Sequence, residues 1–102
     1  MLTVIATIRA KPGTELRAKE ILTSLVKPTR QEAGCIGYDL HVRADQPGTF
    51  VFYENWASEA ALEAHLKTPH VQKALSTMGP FLAGEPDIGR FEMISKPAAS
   101  AR

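Results

Sequence analysis

The 102 residues, 44% of them hydrophobic, suffice for one domain with a single core. Twelve Lys and Arg against eleven Asp and Glu give a formal charge of +1 without a basic run, which argues against nucleic-acid or membrane surfaces. One cysteine excludes an internal disulfide and a cysteine-rich zinc cage. We expect a cytoplasmic domain, without signal peptide or membrane span, whose partners are small molecules or a second copy of the chain.

The first third of the chain predicts a strand followed by a long helix. Residues 2–10 alternate apolar and more polar side chains, and Lys11-Pro12-Gly13 is a turn motif. Apolar residues then recur at helical spacing from the candidate N-cap Thr14 to residue 33, where Gly34 favours termination. Because Pro28 lacks an N–H, we expect the helix to kink or end just before it.

The next stretch predicts an antiparallel hairpin of two strands. Cys35–Arg43 alternates and is followed by the turn residues Asp45–Gly48, and Phe50–Trp56 carries large apolar side chains on both faces. One carboxylate, Glu54, interrupts this second apolar stretch and is costly to bury without a partner. The predicted apolar face of the first of these strands comprises Ile36, Tyr38, Leu40 and Val42.

The remainder predicts a helix in two pieces and a last strand. Ser58 is a good N-cap, and His65 shares an inward helical stripe with two leucines. Pro69 suits the first position of the second piece, which Gly79-Pro80 interrupts. Residues 87–95 have the composition of a strand.

The predicted order is βαββαβ with a broken second helix. It matches the α+β, ferredoxin-like motif, which has a four-stranded antiparallel sheet with helices on one face. The other face stays uncovered although Ile5, Val51 and Tyr53 are apolar, and large apolar patches are rare on monomers. We therefore expect a homodimer that packs sheet against sheet as an α/β barrel. Residues 1–95 are predicted to form the domain and residues 96–102 a flexible tail.

Three segments resemble one known family. The segments MLTVIATIRAKPG, EAGCIGY, and ENW followed by LEAHLKTPH are similar to the antibiotic biosynthesis monooxygenase family of dimeric, ferredoxin-like proteins. The resemblance covers the predicted domain and is closest to the branch of cofactor-free quinol monooxygenases. The site residues that it implies are Glu54, Trp56 and His65, with Tyr38 and Gly34.

The family that the chain resembles also includes branches with other activities. The haem-degrading branch of the family uses an Asn and a His where this chain has Ala6 and Leu75, which argues against haem. Another branch isomerises a phosphorylated dione and needs convergent basic side chains, for which Arg9, Arg43 and Arg90 are available. A non-enzymatic, dimeric module that binds a small molecule is the third alternative.

The chemistry of a cofactor-free oxygenase requires a base and a dry pocket. A dihydroxyarene can supply the electrons to O₂ once it is deprotonated, and a histidine with a pKa of about 6.5 can take that proton near neutral pH. We predict His65 as the general base and Glu54 as the carboxylate that orients it, with no cofactor. An isomerase would use the same histidine. The competing interpretations are a core histidine bonded to a backbone carbonyl, and a salt bridge from Glu54 to Arg90 or Arg9.

Aromatic and sulfur-containing side chains are candidates for substrate contacts. Aromatic rings can stack on a planar substrate, although alternating aromatics in a strand are also typical of a core. Asn55, on the opposite strand face, is expected at the subunit contact. The predicted substrate-binding residues are Tyr38, Trp56, Met78 and Phe81.

A metal site is not predicted. His41 and His70 raise the question together with His65, but their spacing matches no metal motif and no acidic cluster completes a ligand set. The single cysteine, Cys35, has no neighbour in sequence that would activate a thiol.

Overall fold

The elements of the fold follow the predicted order, with a break in each helical segment. A computed structural model describes residues 1–97. The elements are β1 (Leu2–Arg9), α1 (Glu15–Thr23), α2 (Val26–Arg30), β2 (Cys35–Arg43), β3 (Gln46–Trp56), α3 (Glu59–Leu66), α4 (Pro69–Met78), a 3-10 turn (Gly79–Phe81) and β4 (Asp87–Phe91).

The four strands form one antiparallel sheet in the order β2-β3-β1-β4. Val4, at the centre of β1, lies opposite Glu54 of β3 and Arg90 of β4. The buried face of β1 and β3 packs in one hydrophobic core with residues of α1, α3 and α4. The ferredoxin-like α+β prediction is confirmed.

The first helical segment breaks earlier than predicted. We expected the break just before Pro28, but α1 ends at Thr23 and a new helix begins at Val26. Ser24 donates its hydroxyl to the carbonyl of Ile21 at 2.5 Å, and such bonds compete with helix propagation. Pro28 then lies in the first turn of α2, where its missing N–H has little consequence.

The predicted helix caps are partly correct. Ser58 accepts a hydrogen bond from a backbone N–H of α3 at 3.2 Å, and Thr68 caps α4 with Pro69 at its first position. Thr14 occupies the N-cap position of α1 as predicted, but its side chain accepts no hydrogen bond from the helix, and its hydroxyl donates to the carbonyl of Lys11 at 2.7 Å.

The hairpin departs from the prediction at both ends. The turn is shorter than expected, since β3 already begins at Gln46. At the other end, the register shifts between Cys35 and Gly37, as in a β-bulge. The bulge turns Ile36 away from the face of Tyr38, and Ile36 is 60% exposed. The prediction that these two side chains share one face of the strand is therefore wrong.

The last strand is shorter than predicted. β4 ends at Phe91, and Met93 and Ile94 lie exposed beyond it. Of the predicted tail at residues 96–102, the part beyond residue 97 lies outside the described residues. Within residues 1–97, every helix falls short of the length and hydrophobicity that a bilayer crossing requires.

The sheet face opposite the helices carries apolar side chains, as predicted. Tyr53 and Phe91 are each close to half exposed. Asn55 also lies on this face, where its side-chain oxygen accepts a hydrogen bond from the hydroxyl of Thr3 at 2.7 Å. Met93 and Pro97, beyond β4, line a groove on this surface together with Tyr53 and Asn55. We call the sheet surface that carries Tyr53, Asn55 and Phe91 the open face.

Candidate active site

A cavity of about 170 Å³ lies between the sheet and the helices. Apolar side chains from β1, β3, α1, α3 and α4 form most of its wall. Only four lining residues carry a polar or charged side-chain group: Tyr38, Glu54, His65 and Arg90. The wall is therefore apolar except at a few defined points, as in most ligand pockets.

His65 projects from α3 into this cavity and is only 4% exposed. Its Nδ1 lies 2.9 Å from Oε2 of Glu32. Because an ionised carboxylate can only accept, Nδ1 carries the proton and Nε2 is left with a lone pair. No residue in the range 1–97 forms a hydrogen bond with Nε2. The indole of Trp56 packs on the imidazole with ring centroids 4.6 Å apart.

Glu32 reaches His65 because the loop between α2 and β2 approaches α3 closely. Gly34, in this loop, has a φ of +83°, which glycine adopts without strain. A Cβ at this position would lie 2.6 Å from the Cβ of Ala61 in α3. The carbonyl of Gly34 also accepts a hydrogen bond from the backbone N–H of Ala57 at 2.8 Å. The glycine thus permits the contact that places Glu32 over the imidazole.

Electrostatics favour a neutral His65. Burial lowers the pKa of His65 below its usual value, while the hydrogen bond that His65 donates to Glu32 and the charge of that carboxylate oppose the change. The ring is therefore available as a base at neutral pH, with its orientation and tautomer fixed by the carboxylate.

Glu54 is buried on the same wall but does not orient His65. Its Oε1 accepts a hydrogen bond from Nε1 of Trp56 at 2.9 Å. Burial raises the pKa of Glu54 to about 7, against the opposing effect of that hydrogen bond. Within the described residues, Glu32 holds the position that we had predicted for Glu54, and Glu54 forms no salt bridge to Arg90 or Arg9.

The four predicted substrate contacts divide into two pairs. Tyr38 and Met78 line the cavity, and burial raises the pKa of the Tyr38 phenol, so it stays protonated. Trp56 is fully buried behind His65 and does not reach the cavity wall. Phe81 lies in the 3-10 turn outside the cavity.

The profile of one protein family, described as Antibiotic biosynthesis monooxygenase, matches residues 1–76 of the chain. The chain belongs to this family. The resemblance drawn from the sequence is thereby confirmed.

Relatives and solved structures agree with this assignment. The Escherichia coli protein named Probable quinol monooxygenase YgiN is 38% identical over 82 residues, covering 71% of this chain and 79% of that protein. The crystal structure of PA3566 from Pseudomonas aeruginosa is similar with a TM-score of 0.88 at 36% identity, over 92% of this chain and 94% of that one. Uncharacterized protein sll1783 from Synechocystis is 28% identical over 97 residues, and this chain spans only 58% of its length.

The residues of the cavity wall can be compared with those that the alternative activities of the family require. Ala6 and Leu75 both line the cavity, and neither side chain has an atom that can ligate haem iron. Of the three arginines considered for a phosphate site, only Arg90 lines the cavity, where it pairs with Glu59. Arg43 instead pairs with Asp45 near the hairpin turn. The three arginines do not converge on one site.

The structure brings together two of the three histidines, with a carboxylate that sequence reasoning missed. Nε2 of His70 lies 2.6 Å from the same Oε2 of Glu32 that binds His65. The ligand atoms of these three residues lie within 4.8 Å of one another, so they are the described group that could hold a metal. The expectation that no acidic group completes a ligand set did not anticipate Glu32, and His41 lies apart on β2. Both short N···O distances are those of hydrogen bonds.

Glu32 was missed because it lies 33 residues before His65 in the chain. It belongs to the EAGCIGY segment that carries the family resemblance, two residues before the glycine with positive φ. One feature could have pointed to Glu32 as the partner of the histidine. It is a carboxylate beside such a glycine, in a loop that faces the helix with the inward histidine. Cys35, three residues on, is partly buried, and burial raises the pKa of its thiol, so it is not an activated nucleophile.

Proposed function

We propose that this family member is a cofactor-independent monooxygenase that oxidises a quinol or a related electron-rich arene with O₂. The observation that carries the proposal is His65, whose Nδ1 is held by Glu32 while Nε2 stays free at an apolar cavity. The printed names of relatives support the class of reaction.

In the proposed reaction, Nε2 of His65 takes the proton of a substrate hydroxyl. The oxygen keeps the electron pair, and the resulting anion is electron-rich enough to reduce O₂. One oxygen atom forms a bond to a ring carbon, and the other leaves as water with two protons from the substrate. A hydroquinone thereby becomes a hydroxylated quinone, and the substrate supplies all of the electrons.

The other polar groups of the cavity give the substrate an orientation. Glu54 has a pKa of about 7, so at neutral pH it can accept or donate a hydrogen bond to a second hydroxyl of the arene. The Tyr38 phenol can donate to a developing oxyanion, and Met78 contacts the ring. Trp56 has an indirect role: its indole N–H donates a hydrogen bond to Glu54, and its ring packs on the imidazole of His65.

Oxygen consumption with a panel of hydroquinones tests the proposal. We expect His65→Ala to lower the rate by about 10²- to 10⁴-fold, the usual contribution of a positioned base. His41→Ala is the matched control, because His41 is exposed on β2 and is not among the residues that line the cavity. Equal rates for the wild type and His65→Ala would remove the base from the mechanism.

We further propose that the active form is a cytoplasmic homodimer joined through the open face. Exposed apolar side chains on this face, such as Tyr53 and Phe91, are the support for a sheet-to-sheet contact, with Asn55 within it. Light scattering after size exclusion should give twice the mass of 11.1 kDa, and Tyr53→Glu should shift it towards one chain. A monomeric wild type would contradict the dimer without affecting the cavity chemistry.

A further inference from the structure

The cavity opens to solvent along one side. Of the described residues that line it, four are exposed, and we call them the mouth: Leu66, Leu75, Ile88 and Arg90. Ile88 and Arg90 belong to β4, which is an edge strand of the sheet, whereas Leu66 and Leu75 belong to α3 and α4. The opening therefore lies between this edge strand and the two helices.

We propose that the mouth holds an uncharged, apolar substituent of a hydroquinone whose ring lies inside the cavity. This inference rests on the proposed function, because it names the class of hydroquinone that the same site takes. It depends on the size of the cavity, the position of its polar groups and the chemistry of the mouth.

The size of the cavity limits what it can enclose. Apolar cavities of about 150 Å³ hold one benzene ring. The present cavity measures about 170 Å³, so it is close to the size of a single ring with its hydroxyl groups. The further atoms of any larger substrate must extend through the mouth.

The polar groups inside the cavity determine which end of the substrate enters first. Tyr38, Glu54 and His65 are each at most 5% exposed, in contrast to the residues of the mouth. Hydroxyl groups that bind these three side chains therefore lie at the buried end. A substituent on the opposite side of the ring then points towards the mouth.

Three of the four mouth residues offer an apolar surface. Leu66, Leu75 and Ile88 are 37%, 53% and 58% exposed. Exposed apolar side chains that adjoin a cavity are typical of surfaces that bind a ligand or a partner. Because they continue the apolar wall of the cavity outwards, an apolar chain on the substrate would remain in contact with protein as it leaves.

The fourth residue, Arg90, already has anionic partners. Its guanidinium pairs with Glu59 and lies 3.5 Å from a carboxylate oxygen of Glu63, both on α3. An anionic substituent would have to displace these carboxylates and would be repelled by them. The mouth thus favours a substituent without charge.

The mouth is separate from the proposed dimer contact. Ile88 and Arg90 are two residues apart and share one face of β4, opposite the cavity residues Ala6 and Val4 of β1. Phe91 lies on the other face of the strand, which belongs to the open face. A dimer joined through the open face would leave the mouth accessible to substrate.

The first experiment measures binding without turnover. Isothermal titration calorimetry in the absence of O₂ would compare hexylhydroquinone with methylhydroquinone. We expect the hexyl compound to bind at least about tenfold tighter, because each methylene removed from water contributes up to about fourfold in affinity. Equal affinities would overturn the inference.

Variants of the mouth test where the chain lies. Leu75→Gln in α4 and Ile88→Thr in β4 each replace an apolar side chain with a polar one that suits the same secondary structure. We expect the preference for the hexyl compound to fall to about threefold or less in each variant. A preference that stays at the wild-type value in both would overturn the inference.

Leu16→Gln is the matched control for Leu75→Gln. Leu16 is also an exposed helical leucine, at 79% exposure, but it lies on α1 and is not among the residues that line the cavity. The control should keep the wild-type preference for the hexyl compound, and a loss as large as that of Leu75→Gln would place the chain elsewhere. Thermal unfolding would show that all three variants retain the fold.

A charged substituent tests the role of Arg90. The compound 2,5-dihydroxybenzoate carries a carboxylate on the ring where methylhydroquinone carries a methyl group. We expect it to bind at least about tenfold more weakly, since an anion is costly to place against an apolar wall and Arg90 is already paired. Equal or tighter binding would show that the mouth takes anions and would overturn the inference.

A second copy of the chain is the competing occupant of the mouth. Light scattering after size exclusion would compare the masses of the wild type and Leu75→Gln. We expect equal masses. A lower mass for Leu75→Gln would show that another copy covers the mouth and would overturn the inference.

These experiments distinguish the inference from the proposed function. If the wild type binds hexylhydroquinone through the mouth but consumes no oxygen with it, the proposed function fails and the class of ligand stands. If oxygen uptake depends on His65 while the hexyl and methyl compounds bind equally, the function stands and the role of the mouth is overturned.

Discussion

Two carboxylates approach the same cavity and meet different partners. Glu54 lies in the middle of β3 and accepts a hydrogen bond from Trp56, two residues away in the same strand. Glu32 lies in a loop and contacts two histidines from two helices. Both are mostly buried, and within residues 1–97 Glu32 forms ion-pair contacts with two histidines, whereas Glu54 forms none.

The difference shows that burial alone does not give a carboxylate its role. Burial of Glu54 with one neutral donor raises its pKa to about 7, so it can exchange a proton with a bound molecule near neutral pH. Glu32 has two imidazoles as donors, which suits it to hold and connect the histidines. The strand carboxylate thus lies on the cavity wall, and the loop carboxylate lies beside the imidazole of His65.

The largest expected effect comes from the glycine that places Glu32. Gly34→Ala combines a positive φ with a Cβ at 2.6 Å from that of Ala61, and should lower the free energy of unfolding by about 2–4 kcal/mol. Gly13→Ala is the matched control, since Gly13 has a φ of +87° but open space around it, and should show only the smaller conformational loss. Urea unfolding measures both, and equal losses would mean that the close approach to α3 has no energetic role.

The second prediction concerns the strand carboxylate. The folded pKa of Glu54 is about 7 against an ordinary value of 4.5, so the folded state binds more protons than the unfolded state in that interval. Its contribution to stability is therefore present below about pH 4.5 and is lost as the pH rises through 7. Between pH 4.5 and 7, the free energy of unfolding of Glu54→Gln should therefore rise relative to that of the wild type by up to about 3 kcal/mol.

Thermal or urea unfolding from pH 4.5 to 8 would measure this change, with the exposed Glu85→Gln as control. His65 acts in the opposite direction, since its lowered pKa makes the protein less stable as the pH falls. That effect is common to both proteins and cancels in the difference. A difference that does not vary with pH would show that Glu54 is ionised throughout.

The smallest expected effect is a change in the pKa of His65. Glu32→Gln removes the charge and alters the bond that raise the pKa of His65, so the pKa of His65 should fall further below its usual value. Glu54→Gln should leave it nearly unchanged, because Glu54 is not among the groups that shift it. NMR titration of the imidazole ring measures both variants. A larger response to Glu54→Gln would reverse the assignment of the two carboxylates.

Sequence reasoning predicted the fold and the inward direction of His65 but not the neighbours of its imidazole. The alternation in β1 and β3 and the helical stripe that contains His65 are local patterns, and they correctly placed Val4, Phe52 and His65 on buried faces. The face of Ile36 was wrong, because the bulge between Cys35 and Gly37 interrupts the alternation at that position. Glu54 was chosen as the orienting group because it stood out in its strand, whereas the actual partner lies in a loop.

The amino-acid sequence by itself determined the order of strands and helices, the family and the inward direction of His65, because these depend on residues a few positions apart and on recognisable segments. Only the tertiary structure decided that Glu32 joins His65 to His70. That contact depends on how closely a loop packs against two helices, which a positive φ and a missing Cβ at Gly34 permit and which no local periodicity encodes.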